Sequence, residues 1–454
     1  MPTSYDFDLL VIGSGPAGSS VAQQCAKAGW KVGVADYQFG GTCAQTGCTP
    51  KKLMEVVTST YWKAQHLHGK GFRQPLVPLD WGQLRSHAAQ TTALIPVATK
   101  RDFSDAGIVV IEAKVAFKDK YTLVDQVQDR EWTAERIVIA TGARPTPLEF
   151  SGAEHLISHE VVFSLSALPQ RVVLVGGGYI AFEFSHILAA CGAQVTIISD
   201  AEMPLSQADP DMVQQLIKAT LDKGVDLRLG YEAEAVRREN DFFQVDISQA
   251  HERNPATIPA DLVVHCAGRV PQLATLHLDK TGIQYDDNGI KVNGHLQCQG
   301  AENIYALGDV IGEQPFTPAA TYEADTLVHN LLRDTKQEVD YTGLPTVVYT
   351  YPKMASVGQT AEQLDAAKVD YKTIQRDLKD DLLENGANNA YAGYKVFVTE
   401  DEKQLLGAHV ISTRAEEIVN LLAVAMQCEL ELQAVENLLL AYPSASQAAK
   451  HMLS

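Results

Sequence analysis

The sequence predicts an α/β fold in which one βαβ unit occurs twice, followed by a smaller α+β region. Three observations carry this. Two apolar runs, residues 7–13 and 171–176, read as buried parallel strands ending in glycine-rich turns. Each turn opens a helix-period stretch, 17–28 or 180–191, and then a second strand, 31–35 or 194–198. From about Leu344 the pattern changes: 346–351, 394–399 and 405–410 are strand-like, and 415–427 and 430–440 are helical.

The first turn, Gly13-Ser14-Gly15-Pro16-Ala17-Gly18, fits G-x-G-x-x-G between a strand and a helix. Gly13 permits the tight turn, Gly15 lets a pyrophosphate approach the backbone, and Gly18 lets helix and strand pack closely. The helix that Pro16 and Ala17 begin offers free N–H groups and a positive dipole end to phosphates. Asp36, closing the second strand, is placed to bond a ribose hydroxyl. Between the two βαβ units, 53–69 and 81–106 look helical, and 108–124 and 136–140 look like strands.

The second turn, Gly176-Gly177-Gly178-Tyr179-Ile180-Ala181, has Ala in the third position. Its second strand ends at Ser199-Asp200, and no Lys or Arg lies between Val195 and Gln215. An acid at that point accepts a 2′-hydroxyl and repels a 2′-phosphate, which favours NADH over NADPH. The plainer alternative is that Asp200 and Glu202 are solvated loop acids. Further on, residues 302–309 form a strand ending in Gly308-Asp309, where the carboxylate suits polyol hydroxyls or, alternatively, a turn.

Cys43 and Cys48 stand in Gly40-Gly41-Thr42-Cys43 and Cys48-Thr49-Pro50-Lys51-Lys52. With four residues between them, one helical turn can bring the sulfurs within bonding distance. Cys43 follows two glycines at an expected helix start, where the dipole and nearby lysines favour thiolate. Metal binding is the rival reading, but the pair lacks the further ligands of a closed zinc site. Inert core thiols are the third. Cys25, Cys191, Cys266, Cys298 and Cys428 stand singly and read as core fillers.

The 454 residues exceed one hydrophobic core and imply about three domains. A formal charge of −19 argues against nucleic acid or an anionic membrane as partner. No apolar run spans a bilayer, and no secretory leader is readable ahead of Asp8. Seven scattered cysteines suit a reducing cytoplasm better than a secreted disulfide framework.

Taken together these motifs resemble the class I pyridine nucleotide–disulfide oxidoreductases, a family that includes glutathione, lipoamide and mercuric enzymes. The resemblance extends through Ala140-Thr141-Gly142, Gly268-Arg269-Val270-Pro271, Phe316-Thr317-Pro318-Ala319 and residues 345–358, so it covers essentially the whole chain. It implies FAD, a nicotinamide dinucleotide, and a homodimer completed by the C-terminal region. The implied division is an FAD domain (1–148 and 273–343), a NAD(P) domain (149–272) and a dimerisation domain (344–454). Cys48 resembles the thiol facing the flavin, and Cys43 the thiol that exchanges with substrate. Lys51 resembles the lysine near flavin N5, paired with Glu183, and Tyr179 the aromatic gate over the nicotinamide. Gly41, Thr42, Thr141, Gly142, Gly308, Asp309, Phe316 and Thr317 match flavin positions. Gly176, Gly178, Tyr179, Ile180, Ser199, Asp200 and Gly268 match nicotinamide-dinucleotide positions.

One departure bears on substrate. The family's His-Pro-Thr-x-x-Glu, whose His is the acid–base group for the thiols, is here Tyr442-Pro443-Ser444-Ala445-Ser446-Gln447. His451 lies nine residues past Tyr442 and reads as a surface residue. Tyrosine titrates near pH ~10, so it donates a hydrogen bond but is a poor base at neutral pH. Losing a general acid–base group costs about 10²–10⁴-fold in rate. The leading expectation is a glutathione reductase-like enzyme acting on a small thiol disulfide. The alternatives are a reductase of metal ions, quinones or other oxidants, and a low-turnover flavoprotein redox sensor. The resemblance supplies neither an N-terminal metal-binding domain nor a C-terminal cysteine pair, which disfavours mercuric and high-molecular-weight thioredoxin reductases.

Overall fold

The computed structural model describes residues 4–249 and 252–453. They divide into two compact units. The first comprises Met1–Pro50, Ala88–Thr146 and Gly268–Tyr341; the second comprises Lys51–His87, Pro147–Ala267 and Thr342–Ser454.

In the first unit, parallel strands run in the order Val109–Glu112, Val32–Asp36, Phe7–Ile12, Glu131–Ile139 and Ile304–Ala306. Leu9, Leu10, Val11, Val34, Ile137, Val138 and Ile139 are fully buried, as a sheet covered on both faces requires. The helix Pro16–Lys27 turns Ala17, Gly18, Val21, Ala22 and Cys25 inward and packs on the helix Thr317–Leu332. The stretch 108–124 is three short strands, Val109–Glu112, Val115–Asp119 and Thr122–Asp125. The expected helix over 81–106 is broken into Trp81–Thr92 and Ile95–Asp105. Pro96 explains the break, because proline fits the first turn of a helix and not its interior. The helix expected from 53 starts earlier, at Cys48, with Pro50 in its first turn.

In the second unit, the parallel order is Asp226–Leu229, Gln194–Ser199, Arg171–Val175, Leu262–His265 and Ile157–Ser158. The same unit holds an antiparallel sheet ordered Thr346–Val348, Lys353–Gly358, Leu405–Ser412, Gly393–Thr399 and Tyr371–Asp377. The helix Ala415–Gln427 covers it and buries Ile418, Val419 and Leu422. The helix expected over 430–440 is only Leu432–Glu436, and a further one, Ala445–His451, follows the Tyr442-Pro443 pair. Among the described residues no helix is long and apolar enough to cross a membrane.

Candidate active site

At Gly13, φ is +104°, and a Cβ there would overlap the Ala140 carbonyl. A Cβ on Gly18 would overlap the Gly13 carbonyl, so this helix reaches its strand only through glycine. Gly15 has open space, its nearest approach being the Gly41 Cα at 4.0 Å. It is also the N-cap of Pro16–Lys27 and supplies no side-chain cap, which leaves first-turn N–H groups for an anion. Asp36 Oδ2 accepts from the Ser14 N–H (2.7 Å) and Ser14 Oγ (2.6 Å), and Oδ1 accepts from the Gln38 N–H (2.9 Å). Ser14 Oγ in turn accepts from the Gly40 N–H at 2.9 Å. Asp36 therefore fastens both the turn and the cysteine loop, and Oδ1 keeps lone-pair capacity for a hydroxyl. Ser14, missed from sequence, is the buried link. The uncapped helix, open glycine and terminal acid together fit a dinucleotide.

Opposite this turn in sequence, the Gly308 N–H donates to buried Glu323 (2.6 Å), which also accepts from Tyr341 Oη (2.7 Å). Burial raises the pKa of Glu323, and also that of Asp309, where Arg269 opposes it. Thr141 Oγ1 donates to the Gln272 carbonyl at 3.0 Å, joining the 141–145 segment to the one that begins at Gly268.

Cys43 lies in a five-residue helix, Gly41–Gln45, whereas Cys48 is the first residue of the 19-residue helix Cys48–His66. Neither is in a disulfide. Cys43 Sγ is 3.0 Å and Cys48 Sγ 3.8 Å from Thr317 Oγ1, at the start of the helix that follows Phe316. A hydrogen bond to Cys48, and then burial, hold the Cys43 pKa far above its ordinary value. The Thr317 hydroxyl acts in the opposite sense and lowers it. A five-residue helix has little dipole, and the long helix presents its N-terminus to Cys48 instead. Among the remaining cysteines, burial pushes Cys25, Cys191 and Cys266 up to about 12, and raises Cys298 as well. Cys428 is exposed, which corrects its reading as a core filler: it follows the last turn of its helix.

In the second unit Gly176 has φ +122°, and a Cβ would overlap the Cys266 carbonyl. Gly178 is the uncapped N-cap of Tyr179–Ala190, with open space at its Cβ position. Ser199 is buried and Asp200 exposed, while Ile180 packs inward and Tyr179 is partly exposed. On the same helix Glu183 is 1% exposed, its Oε2 2.7 Å from Lys51 Nζ. Its Oε1 accepts from Lys52 Nζ (2.8 Å) and the Tyr349 N–H (2.8 Å). Burial is the largest influence on this carboxyl and pushes its pKa up, but the two lysines outweigh it and hold the value low. Lys51 Nζ also lies 5.2 Å from the Tyr179 ring centroid. Sequence reasoning found the Lys51–Glu183 pair and missed Lys52 and Tyr349.

Tyr442 is 73% exposed. Gln447 Nε2 lies 3.4 Å from Nε2 of exposed His451, and Gln447 Oε1 is buried with no hydrogen-bond partner among the described residues.

The pyridine nucleotide-disulphide oxidoreductase profile matches residues 7–324, and the dimerisation-domain profile of the same family matches 344–453. The chain belongs to the pyridine nucleotide-disulphide oxidoreductases. It is 29% identical to a glutathione reductase of Burkholderia cepacia, over 93% of each chain. It is 27% identical to a dihydrolipoyl dehydrogenase of Staphylococcus aureus, over 96% of this chain and 94% of that one. A mercuric reductase of Staphylococcus aureus is 29% identical, over 94% of this chain and 78% of the other. Among solved structures it superposes on the HOCl-induced flavoprotein disulfide reductase RclA of Escherichia coli, with TM-score 0.87, 24% identity and coverage of 98% and 99%. A Cu(II) complex of RclA superposes with TM-score 0.88, 24% identity and 99% of each chain. As members of this family are, the chain is an oxidoreductase of the FAD and NAD(P)H type with a dimerisation domain.

Proposed function

We propose that this chain passes electrons from NADH, with NADPH the weaker donor, through FAD to Cys43 and Cys48, and from them to a small thiol disulfide. One observation carries the reading: both sulfurs converge on Thr317 Oγ1 from a loop that Ser14 and Asp36 tie to the first glycine turn. FAD, when bound, supplies the two-electron relay between nicotinamide and sulfur. The turn at Gly13, Gly15 and Gly18 would hold its pyrophosphate, Asp36 its ribose, and Thr42, Asp309 and Thr317 its remainder. The nicotinamide dinucleotide would take Gly176, Gly178, Tyr179 and Ser199, with exposed Asp200 setting the preference for NADH. On this reading 1–148 and 273–343 form the FAD domain, 149–272 the NAD(P) domain and 344–454 the dimerisation domain of a cytoplasmic homodimer.

From the dithiol, Cys43 gives up its proton and attacks one substrate sulfur. The substrate S–S bond breaks, a mixed disulfide forms, and the first thiol leaves with a proton. Cys48 then attacks the Cys43 sulfur, releasing the second thiol and forming the Cys43–Cys48 bond. One NAD(P)H and one proton thus convert one disulfide into two thiols. The raised Cys43 pKa and a tyrosine in place of histidine favour substrates whose leaving thiol is acidic. Cys43→Ser should retain flavin and its reduction by NADH while disulfide turnover falls at least ~10³-fold, measured by anaerobic stopped flow. Substantial turnover by that variant removes the assigned role.

A second reading, reduction of Cu(II) or another thiophilic metal ion, is favoured by the exposed Tyr442 and by the solved Cu(II) complex of RclA. Two Cu(II) would each take one electron per NADH, with no leaving thiolate to protonate. Enzyme reduced by NADH, then mixed separately with glutathione disulfide, a quinone or Cu(II), separates the two readings. Fast reoxidation by Cu(II) or quinone but not by disulfide reverses their order.

A further inference from the structure

Gly308 is the joint between the strand Ile304–Ala306 and the short turn Gly308–Ile311 that carries Asp309. Leu307 before it is extended, and the Leu307 N–H donates to the Ile139 carbonyl at 3.2 Å. Gly308 has φ +76°, so the chain leaves the sheet direction within one residue, and its buried N–H needs an acceptor elsewhere. Glu323 Oε2 is that acceptor, at 2.6 Å. The rear of the turn closes on backbone alone: the Gly312 N–H donates to the Asp309 carbonyl at 3.2 Å.

The turn lies between two helices. A Cβ built on Gly308 would touch the Cβ atoms of Ala17 and Ala320, each at 3.6 Å. Ala17 belongs to Pro16–Lys27 and Ala320 to Thr317–Leu332, and both helices begin without a side-chain cap. Thr317, the first residue of the second helix, meets Cys43 Sγ, and Glu323 on that same helix holds the Gly308 N–H.

Glu323 is 0% exposed and both of its oxygens are engaged, Oε1 accepting from Tyr341 Oη at 2.7 Å. Tyr341 lies beyond the end of the helix, so the chain returns to brace the carboxyl from its other side. A backbone amide can only donate, so Oε2 accepts in either protonation state of the carboxyl. The titratable groups that face Glu323 are Tyr341, Glu313 and Asp309, with Arg269 acting on Asp309 and Glu313 also on Tyr341. What Glu323 fixes is the direction of one amide, a matter of geometry and not of net charge.

We propose that Glu323, braced by Tyr341, is a positioning residue for FAD: it orients the Gly308-Asp309 peptide so that the Asp309 carboxylate meets the polyol hydroxyls of the flavin. The inference rests on the reading of Asp309 as a flavin contact and deepens it. Because Glu323 and Thr317 share a helix, the same side chain also sets that turn against the residue that meets Cys43.

The test follows release of FAD from the full-length holoprotein on dilution, by the rise in flavin fluorescence. Glu323→Met keeps the length and loses both acceptors, and should weaken FAD binding about tenfold. Tyr341→Phe should give about a threefold loss in the same direction. Glu323→Gln still offers the amide an oxygen and can donate to Tyr341 Oη, so it should stay within about twofold of the parent. Asp309→Ala should itself weaken FAD binding about tenfold, and Glu323→Met added to it should cost less than about twofold more, because both act on one contact. A Glu323→Met affinity equal to the parent's overturns the proposal, as does a Glu323→Gln loss as large as that of Glu323→Met. A full tenfold addition in the double variant (about what independent sites give) overturns it too, since a general loosening of the fold acts without Asp309. If Glu323→Met does not fold, Tyr341→Phe decides: no loss alone, or an undiminished loss on top of Asp309→Ala, overturns the proposal. An Asp309→Ala affinity equal to the parent's overturns the reading of Asp309 and this inference together. With Asp309→Ala weakened, each of the other failures overturns this inference alone.

Discussion

The turns that begin at Gly13 and Gly176 carry the same pattern on parallel strands, yet they differ in what their geometry demands. In the first, Gly18 is obligatory because a methyl would overlap the Gly13 carbonyl. In the second, the same position is Ala181, fully buried with its methyl in place, and the tight approach has moved to Gly177, where a Cβ would overlap Ser199 Oγ. The acids differ more. Asp36 is built into the fold through Ser14 and Gln38, whereas exposed Asp200 accepts from the neighbouring Ala201 N–H. Glycines in such a turn thus report where the chain is approached closely, by a carbonyl at Gly18 and by a side chain at Gly177. On the proposed reading the engaged acid stands at the FAD turn and the exposed one at the turn for the nicotinamide dinucleotide.

The most severe break of this comparison is Gly13→Val beside Gly176→Val, since both positions need positive φ and have a carbonyl where a Cβ would go. Gly13→Val should purify without flavin absorbance and lose more than about 10³-fold of turnover with any acceptor. Gly176→Val should stay yellow and be reduced by dithionite but not by NADH. Equal loss of flavin from both variants would erase the distinction between the turns.

The buried carboxylates sharpen it next. Glu183 faces two lysines, and Glu323 takes an amide and a hydroxyl. Glu183→Gln should cost about 3–5 kcal/mol in urea unfolding, because it removes the buried carboxylate that Lys51 and Lys52 both face. Glu323→Gln should cost about 1–3 kcal/mol. Their pH dependences should be opposite in sign. The Glu183 pKa is lowered, so its stabilisation is present above the ordinary glutamate range and is lost as pH falls through the folded value. The Glu323 pKa is raised, so it favours the fold increasingly as pH falls through the folded value toward the ordinary one. Urea midpoints between pH 3 and 7 (about the span of both titrations) check each slope.

A smaller effect is expected at the exposed acid. Asp200→Asn should shift the ratio of kcat/KM for NADH over NADPH by about tenfold toward NADPH, while Asp36→Asn should act on flavin retention and leave that ratio unchanged. A separate effect is expected at Lys223, 9% exposed, whose ammonium lies over the rings of Trp62 and Tyr351. Burial lowers its pKa from 10.5 to about 7. Folding therefore releases a proton between those values: the penalty is full below pH 7 and fades as pH rises toward 10.5. Lys223→Met should flatten the rise in stability across that window, measured by urea midpoints at a series of pH values.

Local rules made much of this legible in the sequence. Strand, glycine turn, helix and terminal acid are set by sterics within a few residues, so both βαβ units and the cysteine loop could be read directly. Less legible were the antiparallel strands Tyr231–Glu239, Phe242–Gln249 and Glu252–Ala260, and the edge strand Tyr371–Asp377. The edge strand is mostly exposed and carries Lys372, Arg376 and Asp377, so little apolar alternation marks it. Only the tertiary structure decided what the two thiols meet. Cys43 meets Thr317, 274 residues away, and Cys48 begins the longer helix. It also decided that Glu183 serves two lysines and an amide from residue 349, because a buried carboxylate must collect donors wherever the chain brings them. Sequence alone determined the family, the two dinucleotide turns and the reactive pair, since each is written in contiguous residues. The partners of the buried Glu183 carboxylate come from residues more than a hundred positions away, and folding alone brings them together.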